Sequence, residues 1–191
     1  MSEQILIGIS GDRGSFSEEA ANFYCYQHKI SNYKLVYLIS VEAVLKSLTS
    51  GEINNGIFPI ENSNGGIVYE AVHAMSHYNF NIENIFEIDV RHNLLVKPGT
   101  TRDQVKKVVS HDQALRQCRM YLKRQWPNIE IEEYKDTALA AHDLASGKLS
   151  PDVAVLANKS CAELYGLEML EKNVQDLKFN FTSFIFATRV K

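Results

Sequence analysis

Short apolar runs alternate with helix-period patterns along most of the chain. The run ILIGIS at 5–10 predicts a buried strand, and SEEAANFYCYQH at 17–28 a helix with Ser17 as its cap and Glu18 and Glu19 in its first turn. YKLVYL at 33–38 predicts a second strand. SVEAVLKSLTSG at 40–51 predicts a helix that starts at Ser40 and stops at Gly51. A third strand is expected over 55–63 and a further helix over 67–77. Strands and helices in strict alternation read as βαβ units, hence as a mostly parallel sheet.

A long extended stretch at 80–99 then interrupts the series, which restarts beyond it. Strands are expected at 105–110, 129–134 and 152–157, each followed by a helix, at 112–126, 137–147 and 159–166. The last strand is expected over 179–188. Two α/β halves joined by an extended crossing predict two lobes around a cleft. The first would comprise about 1–79 with 175–191, the second about 92–170.

Composition narrows the function. The chain has 191 residues, 45% of them hydrophobic, enough for a sizeable core. A formal net charge of −3 and scattered Lys and Arg argue against nucleic acid or an anionic membrane as partner. Cys25, Cys118 and Cys161 are odd in number and widely spaced, so neither a disulfide framework nor a zinc site is indicated. Each suits a helix as a small apolar residue. The N-terminal stretch is not a signal peptide, and no segment approaches a membrane span. A reducing cytoplasm is the expected setting.

The ends of the expected strands share a chemistry. The first ends at Ser10 and leads through Gly11, Asp12, Arg13, Gly14 and Ser15 into a helix. The third leads into Glu61, Asn62, Ser63 and the Gly65–Gly66 pair. Ser110 and Thr137 stand at two more helix starts. In open parallel sheets, ligands bind outside the carboxyl ends of strands. Helix N-termini there offer free N–H groups to carboxylates or phosphates. Each of these residues alone reads as an ordinary cap; four such ends together point to a small anionic ligand. His73 and His77 have i,i+4 spacing without a third ligand, and neither a nucleotide-binding glycine motif nor a hydrolase elbow is present. His111 either orients Ser110 or sits in the first turn of a helix. Gln113 and Gln117 share a helix face, towards either solvent or a ligand.

The segments GDRGSFSEEAA, FPIENSNGG, SHDQALRQC, DTALAAHDLA, LANKSCAELYGLEMLEKNVQD and NFTSF resemble the prephenate dehydratase domain, in order and over almost the whole chain. The resemblance implies an α/β fold of two lobes, like type II periplasmic binding proteins, with mostly parallel sheets and the site in the interlobe cleft. It implies conversion of prephenate, or its amino analogue arogenate, to phenylpyruvate or phenylalanine, with loss of water and CO2 and no cofactor or metal. It assigns Asn62, Ser63, Ser110, Gln117 and Thr182 to the site, Thr182 nearest the chemistry with Asn62 and Ser110. Ser10, Arg13, Ser15, Thr137, Asn180, Ser183 and Phe184 complete the expected substrate contacts. A homodimer is implied as well.

One tripeptide departs from the family, whose usual Thr-Arg-Phe is here Thr182-Ser183-Phe184. An unpaired substrate carboxylate would cost about 3–5 kcal/mol. Arg13, in the glycine loop, is the favoured substitute cation, ahead of Lys178 and Arg91; Arg189 would lie about 20 Å along the strand. No ACT or chorismate mutase domain is visible, so built-in feedback control is not expected. Competing readings are a prephenate decarboxylase-like enzyme, an arogenate dehydratase, and a non-catalytic receptor for a small dicarboxylate.

Overall fold

A computed structural model describes residues 4–190. In chain order its elements are β1 (Ile5–Ile9), α1 (Phe16–Gln27), β2 (Tyr33–Tyr37), α2 (Val41–Ser50), β3 (Asn55–Asn62), β4 (Gly66–Ile67), α3 (Tyr69–Met75), β5 (Phe80–Asp89) and β6 (Asn93–Val96). After a short 3-10 turn follow β7 (Lys107–Ser110), α4 (Asp112–Gln117), α5 (Arg119–Gln125), β8 (Glu130–Glu133), α6 (Thr137–Ser146), β9 (Val153–Ala157), α7 (Lys159–Tyr165), β10 (Glu168–Glu171) and β11 (Phe181–Arg189). The chain divides into two compact units, one running up to Asp89 and resuming at Phe181, the other Val90–Asn180. The stretch expected as one extended crossing is therefore split: β5 belongs to the first unit and β6 to the second.

In the first unit the strand order is β2-β1-β3-β11-β5, with β4 on β3. β1 runs parallel to β2 and β3, whereas β11 runs antiparallel to β3 and β5. In the second unit the order is β10-β6-β9-β7-β8. β7 is parallel to β8 and β9, and β6 is antiparallel to β9 and β10. Both sheets are thus mixed rather than mostly parallel. Helical crossovers force parallel neighbours only within βαβ units, and strands that enter by other routes run the opposite way.

Each core follows from alternation. In the first unit, Ile185 and Ala187 pack with Val44, Leu45 and Leu48 of α2 and with Ala71 of α3. Phe186 stacks on Tyr24 of α1 at 4.3 Å, and Phe184 stacks on Phe86 at 6.0 Å. Successive residues of β11 therefore serve opposite faces of the sheet. In the second unit every residue of β9 is buried. Val153, Val155 and Ala157 meet α6 and α7, while Ala154 and Leu156 meet α4 and α5. A strand covered on both faces reads as a continuous apolar run.

Local signals set most helix ends. Ser40 caps α2 by accepting from Ala43 N–H at 3.1 Å, and Gly51 closes it at φ 83°. The cap of α1 is Ser15, not Ser17; Ser17 Oγ instead donates to the Ser10 carbonyl at 2.9 Å. The helix expected over 112–126 is broken at Cys118 (φ −112°, ψ 12°). The cause is tertiary: Asp176 accepts from Met120 and Tyr121 N–H at 2.7 and 2.6 Å, and so caps α5 from 55 residues away. All three cysteines are buried and free; Cys25 and Cys161 lie in helices and Cys118 at the break.

Candidate active site

In the first unit, candidate residues come together where β3 meets β11. Asn62 and Thr182 stand directly opposite in the antiparallel pairing. Both are buried, 5% and 9% exposed. Asn62 Nδ2 donates to Thr182 Oγ1 at 2.8 Å and to the Phe181 carbonyl at 3.2 Å. Asn62 Oδ1 accepts from the N–H groups of Asn64 and Gly65 at 2.9 and 2.7 Å. That turn fixes which end of the amide faces Thr182. Thr182 Oγ1 is thus an acceptor towards Asn62, and no acceptor among the described residues takes its own hydrogen. Ser63 ties the same corner: its Oγ accepts from Phe181 N–H at 3.0 Å, and its N–H donates to Phe181 O at 2.8 Å.

The glycine loop after β1 supplies a second group. Ser10 Oγ is buried and has no hydrogen-bond partner among the described residues. A buried hydroxyl left unmade costs about 1–3 kcal/mol, so it marks a place where a ligand atom could bind. Gly11 cannot carry a side chain there, because a Cβ would stand 2.4 Å from Ser15 Oγ. Glu18 holds the loop, accepting from Gly14 N–H and from the Tyr37 hydroxyl, both at 2.5 Å. Burial first, then Glu18, pushes the Tyr37 phenol up to about 12, while neighbouring Arg13 works against that rise. Arg13 is exposed, with its N–H bonded to Asp12 Oδ1 at 2.7 Å.

Ser183 and Phe184 fall elsewhere. Ser183 pairs with Glu61 on β3 and Glu87 on β5, and its hydroxyl donates to Glu87 Oε1 at 3.2 Å. Alternation turns it to the face opposite Thr182. Phe184 is 1% exposed in the core against Phe86, so it supports the strand rather than meeting a ligand.

The second unit carries a cluster that sequence reasoning only half anticipated. Gln117 Oε1 accepts from Asn180 Nδ2 at 2.8 Å and from His92 Nε2 at 2.8 Å. Asn180 is fully buried and His92 is 3% exposed. Burial lowers the His92 pKa, against a smaller opposing effect of Gln117, so the ring is neutral at neutral pH. His92 precedes a strand, so the pattern of strand ends leading into helices gives no signal for it. Ser110, also fully buried, gives its hydrogen to the Leu156 carbonyl at 2.7 Å, a tie between β7 and β9. His111 is the cap of α4, accepting from Gln113 N–H at 3.2 Å. Thr137 is the first residue of α6, whose cap is Asp136.

The described residues hold no group of three or more His, Cys, Asp or Glu placed to bind a metal ion, and no helix among them is long and apolar enough to cross a membrane. The arrangement offers neutral amide and hydroxyl donors, suited to anions and to a departing hydroxyl.

The two-unit α/β fold is shared with a periplasmic substrate-binding protein of an ABC transporter from Coxiella burnetii: the chain aligns over 95% of its length, and 84% of the other chain, at 13% identity and a TM-score of 0.52. A prephenate dehydratase from Arthrobacter aurescens, solved with L-Phe, superposes with a TM-score of 0.86 at 22% identity, covering 98% of this chain and 61% of that one. The prephenate dehydratase family model matches residues 7–191, and the chain belongs to that family of lyases. It is 30% identical over 185 residues to arogenate dehydratase 1 of Petunia hybrida, covering 97% of this chain and 42% of the relative. It is 29% identical to a bifunctional chorismate mutase/prephenate dehydratase of Stutzerimonas stutzeri, with 97% and 49% covered. The chain thus spans less than half the length of these curated relatives.

Proposed function

We propose that the chain catalyses the decarboxylating dehydration of prephenate to phenylpyruvate, a step of aromatic amino-acid biosynthesis. The observation that carries this reading is the Asn62–Thr182 bond. Because Asn62 donates to Thr182, the hydroxyl hydrogen of Thr182 is left to point at a ligand. In the reaction, the bond from the ring to its carboxylate breaks and CO2 departs. The electron pair enters the ring, and the 4-hydroxyl leaves as water once protonated. Aromatisation drives the step, so the protein needs to steady the leaving oxygen and hold the carboxylates. Thr182 hydrogen-bonds the leaving hydroxyl; an unassisted threonine is a poor acid, so it relays or orients the proton. Ser10, Gln117 and Asn180 supply or support polar contacts to the rest of the substrate, with Arg13 and Ser15 at the glycine loop. Ser110 and Phe184 act as supports.

The missing motif arginine does not oppose this reading. Position 183 faces away from Thr182, and an arginine there would meet Glu61 and Glu87 first. A cytoplasmic setting and a homodimer belong to the same proposal.

The test is product analysis of purified protein with prephenate against an enzyme-free control. Phenylpyruvate above the spontaneous background is expected. CO2 with a non-aromatic product would replace the reading with a decarboxylase. No turnover on prephenate together with phenylalanine formed from arogenate would move the substrate to arogenate, which the names of several relatives favour. Binding without turnover of either would leave a receptor.

A further inference from the structure

His92 is a buried titratable group to which the proposed chemistry gives no task. Its backbone is anchored: its N–H donates to Gln175 Oε1 at 3.2 Å, and its carbonyl accepts from Val174 N–H at 2.9 Å. Its ring reaches Gln117 Oε1 at 2.8 Å, on the same oxygen that takes the Asn180 amide hydrogen at 2.8 Å. The Gln117 carbonyl, in turn, accepts from Asp176 N–H at 2.8 Å. Gln117 is therefore held at its backbone by the segment 174–176 and at its side chain by two buried donors.

An amide oxygen has two lone pairs, and here two donors face it. Turning the amide over would set its NH2 against the Asn180 NH2 in a buried place, and the ring could answer it only as the other tautomer, with Nε2 accepting. Gln117 Oε1 can be bonded by the ring only if Nε2 carries a hydrogen. A neutral ring then carries no hydrogen on Nδ1.

We propose that His92 is a positioning residue: as the Nε2–H tautomer it works with Asn180 to hold the Gln117 amide in one orientation, so that Gln117 meets the substrate as a hydrogen-bond donor and selects an acceptor such as a carboxylate. This rests on the reading that Gln117 faces the substrate. Asn62 shows the same device in the other unit, where two backbone N–H groups occupy Oδ1 and turn Nδ2 to Thr182.

Two measurements test it. Nitrogen-15 NMR of the histidine rings in the intact protein at neutral pH reads the tautomer directly and needs no activity. A neutral His92 with hydrogen on Nε2 is expected; an Nδ1–H tautomer or a charged ring overturns the proposal. Steady-state kinetics on prephenate supply the second arm. His92→Phe should raise KM about tenfold, the worth of one well-placed hydrogen bond, with kcat changed less than about threefold. His92→Gln, which returns an N–H donor, should bring KM back to within about threefold of wild type. KM unchanged in His92→Phe, with only a lowered melting temperature, would make His92 merely structural and overturn the proposal. If His92→Phe does not fold, the tautomer and His92→Gln still decide. If the wild type leaves prephenate unchanged, the dehydratase reading fails on that result, while the tautomer separately decides the orientation of Gln117.

Discussion

Asn62 Nδ2 donates to Thr182 Oγ1 at 2.8 Å across the β3–β11 pairing, where the two residues stand directly opposite each other. The direction of this bond matters more than its length. It makes Thr182 the acceptor towards Asn62 and leaves its hydroxyl hydrogen with no acceptor among the described residues. Thr182→Val, which keeps shape and loses the hydroxyl, should lower kcat by about 10²–10⁴-fold, the range for a positioned proton-handling group. Thr182→Ser should retain most activity. Equal turnover in Thr182→Val and wild type would remove Thr182 from the chemistry.

Asn62→Asp tests the bond's direction without changing size. The carboxylate still accepts from Asn64 and Gly65 N–H, so the turn is kept. It can only accept from Thr182, and it draws the hydroxyl hydrogen inward. We expect kcat to fall about a hundredfold with KM within about threefold of wild type. An unchanged kcat would show that the hydrogen of Thr182 does not serve the substrate.

Ser183→Arg should leave turnover within about threefold of wild type, because the new side chain lies between Glu61 and Glu87 on the face away from Thr182. A stabilisation of about 0–1 kcal/mol, the usual worth of an exposed ion pair, is expected by urea titration. A rise in kcat/KM of about tenfold or more would show that the guanidinium reaches the substrate and that its loss is a defect.

Phe184→Ala should act on stability rather than on binding. Phe184 is 1% exposed and stacks on Phe86 at 6.0 Å, so truncation opens a cavity and costs about 3–5 kcal/mol. Denaturant unfolding reads this directly. A mild loss of stability with a raised KM would make Phe184 a ligand contact instead.

Acid stability should report Asp143. Burial alone would raise its pKa, but hydrogen bonds from Lys148, Tyr134 and His142 outweigh burial and hold it at about 2. A carboxylate depressed below its unfolded value of about 3.9 stabilises the fold above that pH. The contribution is lost as pH falls from about 4 towards 2. Asp143→Asn should be less stable than wild type at neutral pH, and its denaturation midpoint should change less over that acid window. Parallel midpoint curves for the two proteins would remove Asp143 from the acid response.

Much of the fold and part of the site were legible in the chain. Residues 40–51 named both ends of α2 correctly, because a serine cap and a left-handed glycine act within one helical turn. Asn62 and Thr182 could be singled out from motif segments. That they touch could not, since 120 residues separate them and only strand pairing brings them together. The break at Cys118 is not legible for the same reason: Asp176 caps α5 from outside the segment, and periodicity over 112–126 contains no trace of it.

The order of apolar runs and turn residues by itself determined the α/β class, the succession of strands and helices, the capping of α2 and the family. These depend on contacts a few residues apart or on whole-chain resemblance. The tertiary structure decided the rest: the antiparallel entry of β11 and β6, the opposite facing of Thr182 and Ser183, the spending of Ser110 on a strand tie, and the two donors on Gln117. A hydrogen bond's direction depends on which distant groups are left to answer it, and only the folded chain brings those groups within 3 Å.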